Sequence, residues 1–531
     1  MQRENPECHV GSRSQVVVLH RQTAMDKVTV MPGSTCTDAH GADTVSFCGL
    51  LSRLRNGGDT DSEELAAVSL FDWTRELFIA RGPGRLDVMG GIADYSGSLV
   101  LQMPIAEACF AAVQPGPGDG LLRVVSLGGA AAGRASECTL AASKLVDVSG
   151  APVSYEEAHK VLSGLDPACS WAAYPLGAVH ALAVQTGSAA SFSKSGLRLL
   201  LRSDVPEGKG VSSSASVEVA TMAACAAATS TPLDGRTLAL WCQLAENRCV
   251  GAPCGVMDQM ASALGCQGAL LALLCRPAEV QGTVALPPNA AVWGIDSGVR
   301  HSVGGSDYGS VRAAAFMGRA IVSAHAQQLP AHGPARLSAS SPARAAGGLN
   351  HLTEVAPSEF DRALASILPQ SMSGADFIAK HGSHGDTVTS IVPDRAYAVR
   401  TCAAHPVHEH SRVSAFGQLL QAPPSDDVLV VLGEMMRQSH ESYSACGLGS
   451  EATDALCSLV EEMGPTRGLF GAKITGGGSG GTVCVLGRAG ADDAIQEVAA
   501  LYTEKTGKTP YIFKGSSMGA AAYGVLRVKV E

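Results

Sequence analysis

The sequence predicts a mixed protein of helices and strands, α+β or α/β, arranged in two lobes. Apolar runs that resemble strands, such as 77–80, 197–201 and 290–296, alternate with segments of helical periodicity. The chain has 531 residues, which is enough for two or more domains with cores of their own. Apolar residues make up 46% of it, as in a globular protein rather than a disordered one.

The first part of the chain is polar. Residues 1 to about 44 lack sustained periodicity, and we predict that they are mostly disordered. In order, we then predict short helices at 45–54 and 62–71, a strand at 77–80, a glycine-dense turn region at 81–97 and a second strand at 98–104.

The rest of the chain alternates between apolar runs and residues that end helices or strands. Asp234 is expected to cap a helix with an apolar stripe, which Gly251 and Pro253 end. We expect a flexible insertion at 325–349, core elements over 428–446, and a strand pair around a glycine loop at 473–486. The domain division predicted from this pattern is an extension at 1–74, a first lobe at 75–292 and a second lobe at 293–531.

Charge and cysteine usage exclude several classes of protein. The net charge is −10 and no long basic run is present, which argues against a general nucleic-acid or anionic-membrane binder. Sixteen scattered cysteines without a Cys-x-x-Cys pair favour reduced thiols. We find neither a secretory signal nor a membrane span in the sequence and therefore expect a cytoplasmic protein. The sequence does not indicate an oligomeric state.

The stretch 205–219 is the strongest local signal. Glycines precede a run of serines at the start of an alanine-rich helix, where free backbone N–H groups and the helix dipole favour a phosphate. On this stretch alone, a glycine and serine linker before an ordinary helix remains an alternative. The predicted phosphate-binding residues are Gly208, Lys209, Gly210, Val211, Ser212, Ser213 and Ser214.

Three glycine-rich stretches, 82–95, 208–214 and 475–481, follow one another in an order that resembles a known family. This is the GHMP family of small-molecule kinases, related to galactokinase, homoserine kinase, mevalonate kinase and phosphomevalonate kinase. The resemblance implies a two-lobed α+β fold with the active site between the lobes, and ATP as phosphate donor. The late glycine motif consists of Gly476, Gly477, Gly478, Gly480 and Gly481.

Within this family the chain resembles the galactokinase-like branch. The resemblance lies in residues 246–259, which end in Met-Asp-Gln, and in Ser306–Tyr308. The stretches 84–97, 205–210 and 296–305 are similar to those of plant-type sugar kinases that act on L-arabinose. The resemblance therefore implies ATP-dependent phosphorylation of the anomeric hydroxyl of L-arabinose, giving L-arabinose 1-phosphate and ADP.

The resemblance also assigns roles to single residues. Asp258 accepts or orients the proton of the anomeric hydroxyl, and Arg85 pairs with it and stabilises the transferred charge. Ser214 and Glu246 hold Mg²⁺, an ion that prefers oxygen ligands. The sugar hydroxyls are bound by Asp94, Gly255 and Tyr308. Without the resemblance, we would interpret Asp258 as a helix cap and Arg85 as part of a surface ion pair.

Two other functions remain open. A non-catalytic sugar sensor is the alternative from another class, and the intact serine loop, Arg85 and Asp258 argue against it. Galactokinase is the alternative among enzymes. Gly91 and Ile92 stand where galactokinases carry a Glu-His pair near the hydroxymethyl end of galactose. We therefore expect L-arabinose to be preferred, and the change of both residues to Glu and His to shift preference toward galactose.

Overall fold

The computed structural model describes residues 28–30, 41–58, 62–128, 133–187, 189–300, 306–326 and 348–531. The predicted disorder of residues 1–44 and the predicted insertion at 325–349 fall mainly outside these ranges. In the described part of the chain, every helix is too short or too polar to cross a bilayer.

Fifteen strands are formed within the described residues. They are β1 Val28–Val30, β2 Leu77–Met89, β3 Leu99–Pro115, β4 Leu121–Leu127, β5 Glu137–Ala141, β6 Leu197–Ser203, β7 Ala269–Leu274, β8 Glu279–Ala285, β9 Ala290–Asp296, β10 Met372–Ser373, β11 Ala396–Tyr397, β12 Leu469–Ile474, β13 Thr482–Arg488, β14 Ile512–Lys514 and β15 Leu526–Val530.

The α-helices come in two groups along the chain. Those before β9 are α1 Ala42–Arg55, α2 Ser62–Val68, α3 Tyr155–Ser163, α4 Ala173–Thr186, α5 Ala189–Ser195, α6 Ser213–Ala228, α7 Gly235–Leu244 and α8 Met257–Leu264. Those after it are α9 Ser306–Ala326, α10 Pro357–Glu359, α11 Gly374–His381, α12 Val399–Leu419, α13 Asp426–Ala445, α14 Glu451–Met463, α15 Asp492–Thr506 and α16 Ala520–Tyr523. A 3₁₀ segment, Gly91–Ser96, and a π-helical turn, Ala245–Val250, bear on the site.

The larger sheet has nine strands and is mostly antiparallel, with β4 and β6 as its parallel pair. Successive residues of β3 face opposite sides, as the pleat requires. Phe110 and Ala112 pack with α1 and α2 on one side, while Cys109 and Ala111 pack with the alanine-rich α6 on the other. Both faces of this sheet are therefore covered by helices.

The second sheet has four strands in the order β12-β13-β9-β14, and all its pairings are antiparallel. Helices α14 and α15 pack on one face of it through residues such as Leu456 and Val498. The expectation of an α+β fold is confirmed. The strands predicted at 197–201 and 290–296 and the strand pair at 473–486 are present, and Asp234 caps α7 by accepting the N–H of Thr237.

One expectation about the chain's course needs revision. The predicted turn region at 81–97 is wrong over its first half, because residues 81–89 continue β2. The core segment at 428–446 is helix α13. The lobe boundary at 292/293 stays a prediction, and two facts bear on it. It falls inside β9, and β15, far beyond it, pairs with β2 in the larger sheet.

Candidate active site

The phosphate loop lies between β6 and α6. Gly208 and Gly210 have positive φ angles of 67° and 71°, which glycine adopts without strain. Ser212 is also left-handed, with φ of 63°, and its buried hydroxyl has no hydrogen-bond partner within the described chain. Helix α6 starts directly afterwards, so its first N–H groups open toward a small cleft. This confirms the loop and helix geometry expected from the sequence.

We call this cleft the catalytic pocket. Its wall combines the loop with residues brought from β2, the 3₁₀ segment, the π-turn, α8, α9 and the late glycine motif. It is lined by Arg85, Asp94, Gly208, Gly210, Ser212, Ser213, Ser214, Glu246, Pro253, Cys254, Gly255, Met257, Asp258, Tyr308 and Gly477.

The late glycine motif packs directly on the phosphate loop. A Cβ on Gly476 would lie 2.6 Å from the Gly210 carbonyl oxygen, and one on Gly481 would lie 2.8 Å from that of Lys209. The Thr482 hydroxyl donates a hydrogen bond of 2.8 Å to the Lys209 carbonyl. Gly476 and Gly481 are thus required by close contact between the two loops, whereas Gly477 is the glycine of this motif that lines the catalytic pocket.

Arg85 and Asp258, 173 residues apart in sequence, form an ion pair on the floor of the pocket. Arg85 donates from Nε (3.0 Å) and Nη2 (2.7 Å) to Asp258 Oδ1, and from Nη1 to the Gly210 carbonyl (2.6 Å). Arg85 is buried, whereas the Asp258 side chain is 22% exposed. Burial lowers the pKa of Arg85, but the carboxylates of Asp258 and Asp87 outweigh it and raise that pKa overall.

Asp94 and Gly255 are in direct contact. A Cβ on Gly255 would overlap the Asp94 carboxyl, so this glycine makes room for the acid. Burial, followed by the charge of Asp258, raises the pKa of Asp94 to about 7. The ring of Tyr308 lines the same side of the pocket and stacks edge-on against Tyr95, with centroids 6.0 Å apart. Asp94, Gly255 and Tyr308 therefore meet, as the sequence predicts.

Glu246 is held by the π-turn that follows α7, an irregularity often found at functional sites. It hydrogen-bonds to Ser214, which brings the two predicted metal ligands together. Burial, then the charge of Asp258, raises the pKa of Glu246 to about 7. Gln259 Nε2 donates to Oε2 of Glu246 (2.5 Å) and to Oε2 of Glu218 (3.3 Å).

Glu218 was not predicted. It is completely buried behind Glu246, and burial together with the charge of Glu246 raises its pKa well above the usual range. A sequence signal did exist, because Glu218 is the one charged residue of α6 and lies four positions after Ser214, on the same helix face. Gln259, next to Asp258, was likewise overlooked.

A larger cavity of about 690 Å³ adjoins the catalytic pocket, with which it shares Gly208, Ser213 and Ser214. Trp171 and Tyr174 line it, and the guanidinium of Arg134 lies 5.7 Å from the centre of the Trp171 ring. The sequence did not reveal this cavity, since its aromatic lining comes from a segment without a recognisable motif.

Two of the predicted phosphate-binding residues occupy other positions. The ammonium of Lys209 lies 2.7 Å from Asp296 Oδ2, at the end of β9. Val211 is completely buried, and its carbonyl accepts a hydrogen bond from the backbone N–H of Arg85 (3.1 Å). Neither lines the catalytic pocket. The side chain of Lys209 and the carbonyl of Val211 join the loop to its surroundings instead.

Comparison with known proteins agrees with this geometry. The GHMP kinases N terminal domain matches residues 173–266, the GHMP kinases C terminal domain matches 428–504, and the galactokinase galactose-binding signature matches 69–115. A galactokinase of Actinobacillus succinogenes is 30% identical over 322 residues, covering 59% of this chain and 67% of that protein. The chain belongs to the GHMP kinase family. The three matched segments of this GHMP kinase carry Arg85, Asp258 and the late glycine motif.

An L-arabinokinase of Arabidopsis thaliana is 43% identical over 555 residues, which cover 96% of this GHMP kinase and 53% of the relative. The chain thus spans about half the length of that relative. Among solved structures, Lactococcus lactis galactokinase complexed with galactose superposes with a TM-score of 0.62 at 19% identity, over 84% of this chain and 95% of that one. The GHMP kinase fold expected from the sequence is confirmed.

Proposed function

We propose that this chain is an ATP-dependent sugar 1-kinase that phosphorylates the anomeric hydroxyl of L-arabinose, giving L-arabinose 1-phosphate and ADP. The observation that carries the proposal is the Arg85–Asp258 pair beside the phosphate loop. The similarity to an L-arabinokinase over 96% of the chain supports the choice of sugar. The same proposal places the activity in the cytoplasm, in keeping with the chain's many cysteines without disulfide spacing.

Asp258 is the proposed proton acceptor. Its Oδ1 is bound by Arg85, while the partly exposed carboxylate remains open to the pocket. The sugar oxygen attacks the terminal phosphorus of ATP, the bond to ADP breaks, and the hydroxyl proton passes to Asp258. Arg85 holds the carboxylate in place and neutralises charge that develops on the transferred group.

The nucleotide is assigned to the two joined cavities. The phosphates lie against Gly208, Gly210 and the serines at the start of α6, where the orphaned hydroxyl of Ser212 and the helix N–H groups can donate to them. The base takes the larger cavity with Trp171 and Tyr174. Lys209 contributes to the phosphates only after leaving Asp296.

Magnesium fits the acidic side of the pocket. Glu246 and Asp258 face it with Arg85 as the cation at the pocket floor. Burial first, and the charge of Asp258 second, raise the pKa of Glu246, and a bound cation would offset both. Ser214 and Glu246 supply the oxygen ligands, and ATP with water fills the remaining positions. In the described residues, no group of three His, Cys, Asp or Glu side chains forms a metal site unaided. When bound, Mg²⁺ neutralises charge on the phosphates.

The sugar is assigned to Asp94, Gly255 and Tyr308. As a carboxylate, Asp94 accepts hydrogen bonds from sugar hydroxyls, and below pH 7 it is mostly protonated. We therefore expect the Kd for sugar, measured without nucleotide or Mg²⁺, to rise about tenfold between pH 8 and pH 6. Asp94→Asn should flatten this dependence, whereas Asp119→Asn, remote from both cavities, should leave it unchanged. A wild-type Kd that is constant with pH would contradict the role given to Asp94.

The function itself is tested by ADP release from purified protein across a panel of sugars. We expect ADP only when sugar is added, and a kcat/KM for L-arabinose above that for galactose. A preference for galactose would support the galactokinase alternative. Binding of ATP and sugar without ADP release would support a sensor. The product should be resistant to reducing-sugar reagents, because phosphorylation at the anomeric position blocks ring opening.

A further inference from the structure

Tyr443, on α13, occupies the space in which a side chain at position 91 would stand. A Cβ on Gly91 would overlap the tyrosine hydroxyl and would lie 2.6 Å from Cε2, inside the 3.0 Å limit that real Cβ atoms keep from their neighbours. Gly91 is not among the glycines with positive φ. Its backbone conformation is therefore open to other residues, and it is the volume of Tyr443 that requires glycine here.

The hydroxyl of Tyr443 connects two loops of the catalytic pocket. It accepts the N–H of Ile92 (2.8 Å) and donates to the carbonyl of Gly476 (3.1 Å). Ile92 belongs to the 3₁₀ segment that carries Asp94, and Gly476 precedes Gly477 of the pocket wall. One side chain from α13 thus fixes the segment that carries Asp94 relative to the late glycine motif.

The ring of Tyr443 has little freedom to move. The ammonium of Lys473 lies 5.3 Å from its centre, and the ring of His405 packs edge-on at 5.4 Å. The residue is completely buried. The position of the hydroxyl is consequently set by the surrounding core and does not depend on bound sugar.

We propose that Tyr443 is a specificity-determining and positioning residue of the sugar site. By excluding any side chain at position 91, it leaves the boundary beside Asp94 without a polar group from residues 91 and 92. A sugar that carries an extra hydroxymethyl group finds no hydrogen-bond partner there, so the boundary favours a pentopyranose over a hexopyranose. This inference rests on the proposed sugar kinase function.

The same geometry corrects an expectation from the sequence. Replacing Gly91 and Ile92 by Glu and His was expected to shift preference toward galactose. With Tyr443 in place, a glutamate at 91 has no room for its Cβ. That double substitution should damage the site rather than convert it, unless Tyr443 is reduced in size as well.

The experiment is a mutant cycle between positions 91 and 443, assayed with L-arabinose and galactose. Gly91→Ala alone should raise the KM for L-arabinose at least tenfold, because the methyl group displaces the segment that carries Asp94. Tyr443→Leu combined with Gly91→Glu and Ile92→His should lower the ratio of kcat/KM for L-arabinose to that for galactose about tenfold, because only then do residues 91 and 92 offer polar side chains beside Asp94. Adding Gly91→Ala to Tyr443→Leu should cost little further.

Tyr443→Phe is the matched control, since it keeps the ring and removes the hydroxyl. It leaves the Ile92 N–H without its acceptor, so the KM for sugar should rise several-fold while the ratio between sugars stays near that of wild type. In this background Gly91→Ala should remain harmful, because the ring carbons still block a Cβ.

Equal damage from Gly91→Ala in the wild-type and Tyr443→Leu backgrounds would overturn the steric coupling. An unchanged sugar ratio in the variant that combines Tyr443→Leu with Gly91→Glu and Ile92→His would overturn the specificity role. Failure of the proposed function is distinguishable from both, because the wild type would then release no ADP with any sugar. The coupling between 91 and 443 would still be decided by the Tm values of the wild type, Gly91→Ala, Tyr443→Leu and the double variant.

Discussion

Replacement of Asp258 by asparagine should lower turnover by about 10² or more and change the affinity for sugar less. Asparagine keeps the volume of the side chain but can neither accept the hydroxyl proton nor balance the charge of Arg85. Arg85 is bound to Oδ1 through two nitrogens and is fixed from below by the Gly210 carbonyl, so it should stay in place. The loss should therefore appear in kcat.

The matched control is Asp119→Asn, which makes the same change in a carboxylate paired with Arg198 far from the pocket. Its turnover should equal that of the wild type. Steady-state kinetics with saturating ATP and L-arabinose, on protein whose circular dichroism is unchanged, provides the measurement. Near-normal turnover in Asp258→Asn would remove Asp258 from the chemistry while leaving the fold assignment intact.

Lys473→Met should lower the free energy of unfolding by about 3–5 kcal/mol. The ammonium of Lys473 is completely buried and donates to Asp87 Oδ2 (2.6 Å) and to the Ile474 carbonyl (2.7 Å). Asp87 also accepts from Gln102 Nε2 (2.6 Å) and from the Gly91 N–H (3.1 Å). Removing the ammonium leaves a buried carboxylate with hydrogen bonds but without its direct ion-pair partner.

Urea unfolding measures the loss in free energy of unfolding, and two further variants serve for comparison. Lys473→Met combined with Asp87→Asn should recover part of the loss, because the second change removes the uncompensated charge. Lys514→Met breaks an ion pair with Asp492 that is largely exposed, and should cost about 0–1 kcal/mol. If Lys473→Met costs no more than Lys514→Met, the buried pair has no special importance for stability.

The sequence predicted the parts of the site that depend on local pattern. The phosphate loop, its helix and Asp234 as a cap all follow from residues close together in the chain. The pairing of Arg85 with Asp258 followed only from the family resemblance, since nothing local joins residues 173 positions apart.

The first two glycines of the predicted turn region at 81–97 have a different role from the one expected. Gly82 and Gly84 were interpreted as turn residues, yet both lie within β2 and neither has a positive φ. A Cβ on Gly82 would lie 2.5 Å from the Ser216 carbonyl of α6, and one on Gly84 would lie 2.7 Å from the Val211 carbonyl. A glycine needed for close packing looks the same in sequence as one needed for a turn. Only the neighbouring helix and loop distinguish them.

The partner of a charged residue, Lys209, was equally impossible to predict from the local sequence. A lysine between two glycines of a phosphate loop indicates an anion contact, and its pairing with Asp296 could not be foreseen. Asp296 belongs to the second sheet, and its approach depends on how the two sheets meet. Likewise, the dependence of Gly91 on Tyr443 joins positions 352 residues apart.

The placement of β15 between β1 and β2 bears on how this protein is made. During synthesis, β2 and β3 leave the ribosome more than 400 residues before β15 does, and domains otherwise tend to fold in order of emergence. Until Leu526–Val530 arrives, the edge of β2 has unpaired N–H and C=O groups, which are a template for pairing with other chains. Completion of the larger sheet thus waits until its last strand has been translated, and the nascent chain is most prone to aggregate in that interval.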